Sequence, residues 1–433
     1  MSLSLNGALT FINANSIGLV CYFGNFRMRF IVSQQRSRAS ALAMSLVAFA
    51  AILPAAAAIA RNAVAQESAG DKLAALNPDQ RRLYDSYRMA RLSYEAQLDG
   101  YWASVNEKRD ERKHKRVTGQ SYTSRDYILT LPPKYNGPGL PDAIAKIVTE
   151  AKPPEPERQL PGVADFLQSA RDAYNFVPEA STEVEFKRRY AAEAMAIGLT
   201  KDQVVKVYAL ETGGIGTYDM QAGIHPQKRT GRPISSALGY AQLLHANSVN
   251  ELVKHGAGFI NRLESMARTQ LSANPRRAIA LRAKAAVVRA MHKDARSVPN
   301  EWADHVRFGS TPKGLAIHAL NLDADIGPWL QVIKLKGLKV TAVNEAGRTQ
   351  LSGPEIELMN LAGPRTGLEM LTPVAQTVPT TNFFSRGGYE RNSVIRDRNA
   401  AELLIELGKR MEFGLLKPGS IEFGQAFDAV ARH

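Results

Sequence analysis

The chain has 433 residues, of which 45% are hydrophobic and 22% are charged. These values are ordinary for a globular protein, so they exclude wholesale disorder, and the length suffices for one large or two moderate domains. The formal net charge of +14 suits an anionic polymer or surface, and the single cysteine, Cys21, excludes a disulfide framework.

Residues 1–65 are predicted to form an export signal, with the part before Met28 as an upstream extension. They contain no Asp, Glu or Lys, and the apolar run 39–60 precedes a small-x-small site at residues 63–65. A membrane anchor is the alternative, although Pro54 interrupts the run. Cleavage would remove Cys21 and five arginines, which lowers the formal net charge to +9. We therefore expect an exported protein, with the periplasm as its compartment.

Residues 66–130 are predicted to form an N-terminal helical arm. Asn77 is a suitable N-cap, and the helix runs from Pro78 to about Arg116. One stripe recurs at three- and four-residue steps and consists of Tyr84, Tyr87, Tyr94, Leu98, Tyr101 and Val105. It can pack on the body, pair with another chain or contact sugar rings, and packing is favoured. The basic run 108–116 is interpreted as a solvated face or a contact with the envelope or a protein, not with nucleic acid.

Residues 131–162 are rich in proline and are predicted to be an extended linker, with a short helical stretch around Ala143 to Glu150. The region 163–433 then follows as the catalytic domain, and its patterns make it mainly α. Its predicted helices are 163–176, 181–197, 200–212, 236–244, 249–273, 275–296, 312–335, 354–360 and 399–411. Residues 336–343 are predicted to form a short strand or hairpin.

Glu211 is the candidate catalytic residue. Thr200 and Gln203 have the spacing of a capping box, and Gly213 with Gly214 end the helix that this box begins. Glu211 therefore belongs to the last turn, where unpaired carbonyls and the negative end of the helix dipole raise a carboxyl pKa. A carboxyl group with a raised pKa is the usual proton donor to a glycosidic oxygen. A surface glutamate near a helix end is the alternative.

The segments 211–214 and 236–243 together resemble the two leading motifs of the soluble lytic transglycosylase superfamily. The resemblance implies a lysozyme-like helical fold and cleavage of the peptidoglycan glycan strand between N-acetylmuramic acid and N-acetylglucosamine. In that family one glutamic acid protonates the glycosidic oxygen and then takes the proton of the muramoyl 6-hydroxyl, which leaves a 1,6-anhydro sugar. The resemblance makes Glu211 the acid and base, with no cofactor and with peptidoglycan glycan strands as the partner.

The same resemblance assigns substrate-side roles to the second motif. Gly239 allows close approach of helix and cleft, and Gln242 occupies the position of the glutamine that supports the site. Tyr240 replaces the usual leucine and either offers a flat face to a sugar ring or belongs to the core. Ser235 and Ser236 are candidates for a hydroxyl near the acid, although capping of the following helix is favoured for each.

Three features depart from the family pattern. The interval between the two motifs is long, so residues 215–232 are predicted to form an inserted loop, in which Asp219 is an alternative second carboxylate for a hydrolase. The third motif is assigned to Asn360 within 359–364, with its aromatic supplied from elsewhere, by Tyr389. The histidines lack the spacing of a zinc site, and no metal is expected. A non-catalytic wall-binding or scaffold protein and a hydrolytic muramidase are the alternative functions.

Overall fold

The computed structural model describes residues 16–23, 26–33, 75–149 and 160–432. These residues belong to two compact units, one within 1–88 and 138–153 and the other within 89–137 and 154–433. In the first unit, strands β1 (Ser16–Phe23) and β2 (Phe26–Ser33) pair antiparallel. The predicted apolar run 39–60 and the cleavage site 63–65 lie outside the described residues.

Helices form nearly all of the regular structure that the described residues contain. In chain order they are α1 (Pro78–Val117), α2 (Asp142–Thr149), α3 (Val163–Tyr174), α4 (Glu183–Ala196), α5 (Lys201–Glu211), α6 (His245–Gln270), α7 (Pro275–Ala295), α8 (Trp302–Gly309), α9 (Pro312–His318), α10 (Gly327–Ala346), α11 (Gly353–Ala362), α12 (Pro364–Met370), α13 (Pro373–Gln376), α14 (Arg386–Arg391), α15 (Ala400–Leu415) and α16 (Pro418–Val430). The prediction of a mainly α protein is confirmed. None of the described helices combines the length and the apolar character needed to cross a bilayer.

Two local predictions are wrong. The strand predicted at 336–343 is part of α10, because Leu335, Leu338 and Ala342 recur at helical spacing and are all buried in the core. The helix predicted at 312–335 is two helices. Asp323 separates them, since its side chain accepts hydrogen bonds from the backbone N–H groups of Asp325 and Ile326 just before α10 begins.

The part of α1 in the second unit packs against the body. Leu98, Trp102 and Val105 are buried in the same core cluster as Tyr389, whose ring meets that of Trp102 edge to face at 5.7 Å. Leu98 and Val105 therefore pack on the body, which is the alternative favoured for the stripe. Residues 89–130 thus belong to the compact unit that also holds 163–432, and the boundary predicted at 131–162 does not set them apart.

The basic run of α1 is also engaged within the protein. Arg112 is only 2% exposed; it donates to a carboxylate oxygen of Glu369 at 2.8 Å and to the backbone oxygens of Asp126 and Asn382. Arg109 donates to the backbone oxygens of 381, 382 and 384. The interpretation of this run as a solvated face is therefore wrong for these two arginines, because their guanidinium groups bind carbonyls of the body.

A buried ion cluster joins α4 and α7 to the segment before α10. The Lys284 ammonium lies 2.9 Å from a carboxylate oxygen of Asp323 and 2.5 Å from one of Asp325, while Arg189 and Arg277 also bind Asp325. Both aspartate side chains are fully buried. Because the charges are paired in this way, their burial is tolerated and these elements are held in one arrangement.

Candidate active site around Glu211

Glu211 is the last residue of α5, as predicted. The hydroxyl of Thr200 accepts a hydrogen bond from the backbone N–H of Gln203, whose side chain accepts one from the N–H of Thr200, so the predicted capping box begins the helix. At the other end Gly214 has a φ of +72° and faces the backbone oxygen of Gly414 so closely that a Cβ would overlap with it. The end of α5 is therefore fixed against α15.

Two residues of α11 meet the Glu211 carboxyl group. Asn360 donates from Nδ2 to Glu211 Oε1 at 2.9 Å, and the same nitrogen lies 3.3 Å from both carboxyl oxygens of Glu357. Glu357 is 2% exposed and is hydrogen-bonded to Glu211. Glu357 and Asn360 are three residues apart on one helix, which places both on the same face. The structure therefore brings Asn360 to Glu211, as expected of a residue of the same site, and adds Glu357.

The electrostatics of this pair keep a proton on it. Burial raises the pKa of Glu211, and the nearby Lys334 ammonium and the hydrogen bonds with Glu357 and Asn360 oppose that rise. Burial and then the charge of Glu211 raise the pKa of Glu357 well above its ordinary value. Because two adjacent carboxylates repel each other, such a pair gives up its second proton only at elevated pH. Glu211 is partly exposed, whereas Glu357 is buried, so Glu211 is the more accessible of the two carboxyl groups.

Lys334 of α10 completes the charge balance. Burial lowers the pKa of its ammonium, while the negative charges of Glu211, Glu357 and Glu251 raise it again. The cluster thus combines three carboxyl groups with one ammonium group in a largely water-excluded place. The protonation states of Glu211, Glu357 and Lys334 depend on one another, so these three groups titrate together.

Residues 238–243 form a tight turn beside α10. Leu238 and Leu243 exchange backbone hydrogen bonds of 3.0 Å, and Gly239 and Gln242 have φ angles of +78° and +42°. The Gln242 side chain donates to the backbone oxygen of Gly239 at 2.7 Å and so closes its own turn. The helix predicted at 236–244 is therefore wrong: these left-handed residues end any helical path, and α6 begins at His245.

Gly239 and Ala241 contact the helix that carries Lys334. Gln331 accepts a hydrogen bond from the backbone N–H of Ala241 at 3.1 Å, and a Cβ at Gly239 would overlap with the Gln331 amide. Gln331 precedes Lys334 by three residues on α10. Gly239 thus allows a close approach, but the group that approaches it is the Gln331 side chain of α10 and not a helix that begins at this turn.

Tyr240 belongs to the core, which is one of the two alternatives that the sequence left open. It is 1% exposed, its ring packs edge to face on Tyr208 at 5.0 Å, and its hydroxyl donates to Glu183 at 2.6 Å. A ring enclosed in this way presents no face to a sugar, so Tyr240 is a core residue and not a substrate-binding residue. Its contact with Tyr208, three residues before Glu211, instead ties the turn to α5.

Ser236 caps the following helix. Its hydroxyl accepts from the backbone N–H of His245 at 3.2 Å and bonds the Nδ1 atom of the same residue at 2.6 Å, which satisfies a free N–H group in the first turn of α6. Its backbone oxygen accepts from the buried His318 at 2.7 Å. These contacts match the capping role and leave the hydroxyl engaged away from Glu211.

Tyr389 and Asp219 have other partners. Tyr389 is 4% exposed, and its hydroxyl accepts from the backbone N–H of Asp397 at 3.0 Å. Asp219 binds Arg229 through both carboxyl oxygens and accepts from the hydroxyl of Thr217. Neither residue joins the contacts of Glu211 within the described part of the chain, and the burial of Tyr389 leaves no exposed ring for a sugar.

Sequence reasoning missed Glu357 and Lys334. The available signal for Glu357 was its position three residues before Asn360 in a short helical pattern, which places the two side chains on one face. Lys334 lay within the predicted helix 312–335, but no local pattern connects it with Glu211. Among the described residues, no group of three or more His, Cys, Asp or Glu side chains is placed to hold a metal ion.

The chain was compared with protein-family models, with curated proteins and with solved structures. None of the three comparisons finds a match.

Proposed function

We propose that this protein is a peptidoglycan lytic transglycosylase in which Glu211 acts first as acid and then as base. The observation that carries the proposal is the pairing of a partly accessible Glu211 with the buried Glu357 and with Asn360. Burial of this cluster raises the pKa of Glu211, which favours the protonated form that donation to a glycosidic oxygen requires. The lysozyme-like character of the fold and an exported location belong to the same proposal.

The reaction needs one carboxyl group. Glu211 donates its proton to the glycosidic oxygen while the bond from that oxygen to C1 of the muramoyl residue breaks. The Glu211 carboxylate then accepts the proton of the muramoyl 6-hydroxyl as O6 bonds to C1. No water is consumed, and Glu211 ends as it began, protonated. Asn360 holds Glu211 Oε1 throughout, which directs the other oxygen.

The position of Glu357 favours this route over hydrolysis. Glycosidases that use two carboxyl groups hold them about 5–5.5 Å apart when they retain configuration and about 6.5–9.5 Å apart when they invert it, on opposite sides of the bond. Glu357 is hydrogen-bonded to Glu211, so the two groups are closer than either arrangement and no sugar ring fits between them. Glu357 is therefore a positioning residue for the proton of Glu211. It is not placed to act as the second carboxyl group that a muramidase would need.

The test is mass spectrometry of purified sacculi digested with the protein. We expect muropeptides with 1,6-anhydro ends, which are lighter by one water than the products of a muramidase. Glu211→Gln should abolish their release while leaving the thermal unfolding transition intact. The matched control is Glu345→Gln, which removes a carboxylate from a surface pair with Arg365 and should digest sacculi at the wild-type rate.

Each of the other outcomes has a definite meaning. Products with reducing ends would make the protein a muramidase. Sacculi that are bound but not cut would favour the non-catalytic wall-binding alternative. Anhydro products released at an unchanged rate by Glu211→Gln would exclude Glu211 as the acid.

A further inference from the structure

Helix α7 presents a line of cations on its exposed face. Arg282 and Arg289 are two turns apart, Lys293 follows four residues later, and Arg296 follows at the end of the helix; all four are exposed. Spacings of three, four and seven residues place side chains on one side of a helix, so these charges extend over about 21 Å. The exposed residues between them include Ala283, Ala286 and Ala290, whose small side chains leave the cations accessible.

A surface groove lies at the C-terminal half of this line. The residues that line it are Arg289, His292, Lys293 and Arg296, and every one of them is basic. The His292 ring lies directly against Gly256 of α6, where a Cβ would meet the ring at 2.5 Å, so the absence of a side chain at Gly256 seats the imidazole between the two helices. The groove is thus lined by α7 and the residue that follows it, with His292 seated against α6.

Most of this charge is not neutralised within the protein. Among the described residues, Arg289 pairs with Glu264, but no carboxylate lies within 4 Å of the side-chain nitrogens of Arg282, Lys293 or Arg296. The inner face of the same helix behaves differently, because Arg277 and Lys284 are held by buried carboxylates. The two faces therefore have distinct uses, one to hold the fold together and one open to an external anion.

We propose that this groove and the line of cations on α7 form a docking surface for the carboxylates on the peptide branches of peptidoglycan. This step rests on the proposed function, because the polymer is the proposed substrate. A line of charges matches a chain with repeated negative groups better than a single small anion. A membrane fits less well, since a helix that binds a bilayer carries a broad apolar face, whereas Ile279 is the one large apolar side chain exposed on α7.

The experiment is co-sedimentation of the full chain with purified sacculi, with Glu211→Gln present in every protein so that no polymer is cut. The groove variant combines Arg289→Gln, Lys293→Gln and Arg296→Gln. The control variant removes the same charge from exposed cations of three other segments, with Arg188→Gln, Lys409→Gln and Arg432→Gln. Because three exposed ion contacts are lost, we expect about tenfold weaker binding by the groove variant and less than about a twofold change for the control.

The wild-type affinity should also fall with added salt, and the difference between the variants should shrink with it. Equal losses in the two variants would overturn the proposal, as would phosphatidylglycerol vesicles that bind more tightly than sacculi and lose that binding in the groove variant. Cleavage is measured separately, with Glu211 intact. If the groove binds sacculi but no anhydro product forms, the docking surface stands and the proposed function fails.

Discussion

Gly239→Ala is expected to destabilise the protein by about 2–5 kcal/mol. The backbone of Gly239 has a φ of +78°, which costs an alanine about 1–2 kcal/mol. The new methyl group would also overlap with the amide of Gln331, whose Cδ lies 2.9 Å from the Cβ position. Gln331 is fully buried and bonds the N–H of Ala241, so it cannot swing aside, and such overpacking adds about 1–3 kcal/mol.

Gly213→Ala provides the matched control. Gly213 has a similar φ of +63°, but no atom lies within 4 Å of its Cβ position, so it should lose only the about 1–2 kcal/mol of backbone strain. The assay is urea unfolding followed by fluorescence, with the midpoint and slope compared among the variants. The clash is isolated by adding Gln331→Ala, which should cost less in the Gly239→Ala protein than in the wild type.

Equal destabilisation by Gly239→Ala and Gly213→Ala would refute this reasoning, as would strictly additive effects of Gly239→Ala and Gln331→Ala. The first result would mean that the turn moves away from α10 without cost. The second would mean that the two residues do not touch.

Three further changes test the site and the core. Glu357→Leu should shift the upper limb of the pH profile of kcat/KM to higher pH, because the hydrogen bond with Glu357 lowers the pKa of Glu211 and its loss leaves Glu211 with the proton that turnover needs. Arg112→Met should destabilise the protein by about 3–5 kcal/mol in urea unfolding, because it removes the buried partner of the Glu369 carboxylate and leaves only the more distant Arg116 guanidinium, at 3.6 Å, to pair with it. Burial lowers the pKa of His318 from 6.5 to about 3. Between pH 3 and pH 6.5 the unfolded chain therefore binds a proton at this histidine that the folded chain does not bind. Stability should therefore fall by about 1.4 kcal/mol for each pH unit of acidification in that range, and His318→Gln should remove this contribution when unfolding is compared at pH 4 and pH 7.

The sequence was sufficient for features that depend on local patterns. The capping box of Thr200 and Gln203 and the two glycines after Glu211 predicted α5 to within a residue, because helix ends are determined by neighbouring side chains and by backbone freedom. Asn77 with Pro78 predicted the start of α1 in the same way. Asn360 was assigned to the site through its motif, and the structure places it on Glu211.

Features that depend on distant partners were not predictable. The strand at 336–343 was inferred from β-branched residues, but burial of Leu338 and Ala342 on the core outweighs that weak preference. A tyrosine at position 240 is compatible both with stacking on a sugar and with a place in the core. Only the contacts of Tyr240 with Tyr208 and Glu183 distinguish the two roles. Lys334 and Glu357 meet Glu211 from helices more than 120 residues along the chain, so no local pattern connects them.

The buried guanidinium of Arg112 bears on how this protein can be shortened. A fragment beginning at residue 163 would retain Glu211, Glu357 and Asn360 yet lose the helix that covers Tyr389 and neutralises Glu369. Such a fragment would expose the apolar surface around Tyr389 and would also leave the Glu369 carboxylate without an ion-pair partner. Residues 89–137 are therefore part of the folding unit and not a detachable tether, and expression trials should begin no later than the start of α1.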